Sequence, residues 1–183
     1  MRWRVPSVLS LLIALACVGC GDEGPAIEPT YANVLETVQV SCGAESSSCH
    51  GGSTGGGSLS FEALLAEGRP ITEALVNVPS CEYDLLDRVE PGSPEESWLW
   101  IKLSQAHDEE GRILFEPDPA WDPGIEPRDD GSFPPSRCPN VEDGALTFGY
   151  QMPLNAGAPS PLPDDQLRLF HDWIEAGAPG PAE

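Results

Sequence analysis

Apolar residues recur at helical spacing in several short stretches of this chain. Tyr31, Val34, Leu35 and Val38 fall at i, i+3, i+4 and i+7 behind Thr30, a residue suited to an N-cap, and they predict a helix that runs directly into Cys42. Phe61, Leu64 and Leu65 predict a short helix capped by Ser60 and stopped at Gly68-Arg69-Pro70, and residues 71–78 form another short apolar stretch. Ser93-Pro94-Glu95-Glu96 pairs a capping box with proline at the first helical position, and so predicts a helix to about Ser104. That helix should bury Trp98, Leu99 and Leu103 and turn Trp100 and Lys102 outward. Near the end of the chain, Pro163, Asp164 and Asp165 suit a first helical turn. Leu167, Phe170 and Ile174 form its stripe, Trp173 widens it, and Gly177 stands at the C-terminal cap. No stretch alternates with period two for long, so the expected fold class is mainly α, a small helical domain with long irregular loops.

The segments between and before these elements divide the chain. Arg2 and Arg4, the apolar run 8–18 and Gly19-Cys20 read as an export signal, too short to span a bilayer as a mature helix. Small residues before Cys20 and the acidic Gly21-Asp22-Glu23 after it resemble a bacterial lipoprotein signal. Cys20 is then the acylated first residue, Cys17 the alternative, and an ordinary cleaved secretion signal the other reading. Residues 1–19 are thus assigned to the signal, 20–30 to an acidic tether, 31–178 to one domain and 179–183 to a tail. Within the domain, 105–148 is rich in Asp, Glu, Pro and Gly, without a usable hydrophobic period. It reads as a solvated acidic insertion pinned by Cys138. Asp118, Asp122, Asp129 and Asp130 lack the order and the closing glutamate of a calcium loop. The glycine-rich run 51–58 lacks the lysine of a phosphate-binding loop and reads as a place of close backbone approach.

The formal net charge is -21, and it becomes more acidic once a signal bearing Arg2 and Arg4 is removed. That balance disfavours nucleic acid and anionic lipid as partners and favours basic proteins or small molecules. Contact with a membrane is expected only through the lipid anchor, in the periplasm or at the cell surface.

The six cysteines change the picture more. Beyond Cys17 and Cys20 they are Cys42, Cys49, Cys81 and Cys138, and Cys49 is followed by His50. A Cys-x-x-Cys-His run attaches haem through two thioethers and uses its histidine as the proximal iron ligand. Here six residues separate Cys42 from Cys49. On a straight helix that spacing would part the thiols by roughly 10 Å, so residues 43–48 must loop out, as Gly43 and Ser46-Ser47-Ser48 permit. Two schemes stand: haem on Cys42 and Cys49 with a Cys81–Cys138 disulfide, or two disulfides and an incidental histidine. Four cysteines allow three connectivities, and sequence does not choose among them. A second axial ligand, if iron is bound, is offered by Met152, the one methionine left once the signal is removed; a core gap-filling role is its alternative. His107 and His171 are lesser candidates.

The order of these features resembles the single-haem cytochrome c-like domains of bacterial exported lipoproteins. The likeness spans residues 31–178 and is carried by the initial helix, Ser48-Cys49-His50-Gly51-Gly52, Leu75-Val76-Asn77-Val78, the run from Arg88-Val89-Glu90-Pro91-Gly92 to Ser97, Met152-Pro153, and Trp173-Ile174-Glu175-Ala176-Gly177-Ala178. The resemblance implies haem c held covalently by Cys49, with His50 as proximal and Met152 as distal ligand. Cys42 departs from the family's spacing, and 105–148 is longer than usual.

The expected function is therefore single-electron transfer by a lipid-anchored carrier that docks a basic redox partner. No catalysis is expected, since no nucleophile stands with a base and no zinc set is present in the sequence. The alternative is a haem-free, disulfide-bonded lipoprotein domain with a structural or binding role. A reversible Cys42–Cys49 dithiol sensor is weaker, because no βαβ pattern accompanies the pair.

Overall fold

Thr30 starts the first helix, because its side-chain oxygen accepts from the Asn33 N–H at 3.3 Å and satisfies one of the exposed amides of the first turn. A computed structural model describes residues 26–43, 50–52, 59–121, 140–142, 145–155 and 158–182. The first helix, α1, spans Tyr31–Val38 and continues into a π-helical turn, Gln39–Gly43, that carries Cys42. α2 (Phe61–Ala66) is capped by Ser60, whose oxygen accepts from Ala63 N at 3.0 Å. The short α3 (Thr72–Leu75) follows Ile71.

After α3 the chain runs extended. Val76 bridges Val89 in parallel, Pro79 bridges Asp87, and Asp87 bridges Ser97. This seam connects Leu75-Val76-Asn77-Val78 to Arg88-Val89-Glu90-Pro91-Gly92. Gly92, at φ 85°, turns the chain so that its N–H reaches Ile174 O at 2.8 Å on the last helix.

The helix expected from Ser93 begins later. Pro94–Glu96 forms a 3-10 turn, and α4 spans Trp98–Ser104. The break falls at Ser97, which is fully buried; its hydroxyl donates to Ser93 O and accepts from Glu90 N. The first amides of α4 are then taken by the neighbouring seam, Trp98 N–H by Asp87 O and Leu99 N–H by Arg88 O, both at 2.9 Å. Tertiary acceptors at Asp87 and Arg88 thus replace the capping box that the local sequence offers. Lys102, expected outward, is buried instead, and Leu99 is only half-buried.

The described flanks of the insertion are not a merely solvated loop. His107 bridges Ile113 and Arg112 bridges Tyr150. Strands β1 (Asn140–Glu142) and β2 (Ala145–Thr147) form an antiparallel ribbon with Asn140 opposite Thr147, and β3 (Leu154–Asn155) and β4 (Ala158–Pro159) form a second. Gly111, at φ 86°, lies so close to Pro159 that a β-carbon there would clash with the proline ring.

α5 spans Asp164–Glu175 and supplies the centre of the core: Leu169, Phe170, Trp173 and Ile174 are all buried, whereas Leu167 only borders it. Full burial of side chains of this size contributes about 1.5–3 kcal/mol each. A Schellman pattern ends the helix, with Gly177 N–H on Ile174 O and Ala178 N–H on Trp173 O, and Gly177 at φ 93°.

Two apolar clusters result. The larger one joins α1, α2, α3 and α5 through Val34, Val38, Phe61, Leu64, Ile71, Leu75, Phe170 and Trp173. The smaller is aromatic: Tyr83, Trp98, Ile101, Ile113 and Phe148, bordered by Phe115 and Trp121. No helix among the described residues is long and apolar enough to cross a membrane.

Candidate functional site

The six-residue gap after Cys42 is closed by the backbone. His50 N–H donates to Cys42 O at 3.1 Å, so the two ends of the intervening segment meet, and the chain returns to the end of α1. Phe61 N–H then donates to His50 O at 2.9 Å, which ties the histidine to the start of α2. Gly51 is buried beside it, and Gly52 N–H donates to a Glu62 carboxylate oxygen at 2.7 Å. Gly52 has φ 70° and open space where a β-carbon would lie, and the rest of the glycine run, 53–58, lies outside the described residues.

The His50 ring is half-buried and tilted against Phe61 with centroids 5.4 Å apart. Its Nδ1 lies 3.1 Å from Leu59 O. A carbonyl can only accept, so Nδ1 carries the proton, and the lone pair of the neutral ring falls on Nε2. A ring held this way has its orientation and tautomer set before any metal arrives, the usual arrangement around a metal-ligating histidine.

Met152 reaches the same cluster from the opposite end of the sequence. Its N–H donates to Lys102 O at 2.7 Å, and its side chain packs, partly buried, against the larger apolar cluster. Cys42, Leu59 and Trp100 border that cluster too. Of the residues proposed from sequence, Cys42 and Met152 border the larger cluster, and His50 touches it through the Phe61 ring. Cys49, Cys138, Cys20 and Cys17 lie outside the described residues. Cys81 is disulfide-bonded, and Cys138, its expected partner, is among those not described. His107 is exposed. His171 rests on the Trp100 ring at 5.2 Å and bonds Asp172 at 3.1 Å; with Glu175 its ligand atoms lie within 4.8 Å on the half-exposed side of α5.

An imidazole with its tautomer fixed, a thiol at the end of a helix, a thioether and an apolar rim are a donor set that fits haem c. Imidazole and thioether are the ligand types that would suit a saturated iron centre.

Two groups beside Met152 carried no sequence signal. Lys102 Nζ donates to Phe148 O at 2.6 Å and pairs with Glu82 at 3.2 Å, and Glu82 also accepts from Trp98 Nε1 at 2.6 Å. Burial pushes the Lys102 ammonium below its ordinary pKa, and the Glu82 carboxylate opposes that shift. Gln151 is also buried, with Nε2 on Leu103 O at 3.2 Å. A lysine in an apolar run and a glutamine in a loop both read as surface residues until their distant partners are known.

No family model matches this chain, and no curated protein or solved structure matches it either.

Proposed function

We propose that this chain is an exported, lipid-anchored protein that carries one haem c and passes single electrons to a basic partner. His50 Nε2 and the Met152 thioether would hold the iron, and Cys49, with Cys42 as the second candidate thiol, would make the covalent attachment. Haem supplies the one-electron iron couple. The polypeptide orients the imidazole through Leu59 O, returns the chain to Cys42, and keeps water from the apolar rim around Phe61, Leu59 and Met152. The acidic surface guides docking.

The observation that carries this reading is the Nδ1 bond of His50 to Leu59 O, on a residue whose own N–H returns to Cys42. Expression in a host competent in cytochrome maturation tests it. The expected protein is red, and its Soret band survives acid-acetone extraction. The pyridine haemochrome reports how many thioethers formed: two if Cys42 takes part, one if Cys49 acts alone. His50→Ala should abolish the pigment, and Met152→Ala should keep it while removing the methionine–iron(III) charge-transfer band. A colourless protein whose cysteines are all oxidised would instead identify a haem-free disulfide-bonded domain.

A further inference from the structure

The loop that carries Met152 also closes the C-terminal end of α4. Two of the last carbonyls of that helix lack an intrahelical donor and are met from this loop: Lys102 O accepts from Met152 N, and Leu103 O from Gln151 Nε2. The Gln151 N–H donates in turn to Gly111 O at 2.9 Å, and Ile113 N–H donates to Gly149 O at 3.0 Å. Residues 149–152 are thus suspended between α4 and the turn at Gly111.

Within that suspension Gln151 is anomalous. Its side chain is only 6% exposed, yet Oε1 is buried with no hydrogen-bond partner among the described residues. Reversing the amide would set Oε1 against Leu103 O, two acceptors facing each other, so the orientation is fixed. A buried acceptor without a donor lowers stability, whereas leucine or methionine would fill the same space without that loss. The one side-chain bond that Gln151 makes instead fixes the loop at the residue preceding the proposed axial ligand.

We propose that Gln151 is the positioning residue for Met152, its amide clamped to Leu103 O so that the thioether is held on the core side of the loop as an axial donor. This rests on the haem reading given above. Gln151→Leu keeps nearly the same volume, removes both the clamp and the orphaned acceptor, and adds no new iron ligand. In the haem-bearing protein, the variant should bind imidazole to ferric iron at least about tenfold more tightly, because Met152 is displaced more easily, and its methionine–iron(III) band should weaken. The haem-free variant should melt within a few degrees of wild type. Unchanged imidazole affinity and an unchanged band overturn the proposal, and a lowered melting temperature as the sole effect would make Gln151 a cap of α4 and nothing more. If Gln151→Leu does not fold, Gln151→Asn, one methylene too short to reach Leu103 O, makes the same comparison. A wild-type protein without covalent haem ends the haem reading and this proposal together; a haem-bearing wild type matched by its variants ends this proposal alone.

Discussion

Lys102 is the residue whose surroundings decide most about the smaller cluster. Its ammonium is buried, and it is tolerated because Glu82 and the Phe148 carbonyl face it. Glu82→Ala leaves that ammonium without its counter-charge and should cost about 3–5 kcal/mol in urea denaturation. Lys102→Met should cost less, on the order of 1 kcal/mol, since Glu82 keeps the Trp98 indole as a donor. The pH dependence has a definite sign. Unfolded, Lys102 holds its proton up to about 10.5; folded, burial makes it give the proton up earlier. Between those two values the unfolded state binds more protons, so this group makes the protein more stable as pH rises, and Lys102→Met should remove that increment. Gly111 is the second decisive residue. Alanine there would meet Pro159 and adopt a left-handed backbone, at a cost of about 2–4 kcal/mol read as a lowered melting temperature.

At the scale of elements, what could be read from sequence is what is local. The starts of α1 and α2, and the start and end of α5, are written within a few residues of each helix: Thr30 and Ser60 as caps, Asp164 and Asp165 in a first turn, Gly177 at a Schellman end. Thr30→Ala should therefore cost about 1 kcal/mol, and Gly177→Ala about as much, because its φ of 93° disfavours a β-carbon. Melting temperatures should fall by a few degrees for each. The start of α4 was not legible, since Ser97 and Trp98 are bonded by Glu90, Ser93 and Asp87, partners that no local pattern announces. The aromatic cluster was hidden for the same reason. Tyr83, Trp98, Phe115, Trp121 and Phe148 come from four separate stretches and meet with ring centroids 4.8–6.1 Å apart, mostly edge to face, without any shared period. In the candidate site, Cys42, His50 and Met152 could be named from residue type and order. The carbonyls that fix them, at Leu59, Cys42 and Lys102, belong to the backbone and leave no mark in the sequence.

For the whole molecule, the excess of acidic residues and the proposed electron transfer lead to one kinetic expectation. If a basic redox partner docks on this surface, the bimolecular rate should fall about tenfold or more between low and high ionic strength, measured by stopped-flow oxidation of the reduced protein. A rate indifferent to salt would move docking away from the acidic surface. The return of His50 to the Cys42 carbonyl has a broader consequence. Because the His50 N–H reaches the Cys42 carbonyl, the distance between these two residues in space is set by that backbone contact and not by how many residues separate them along the chain.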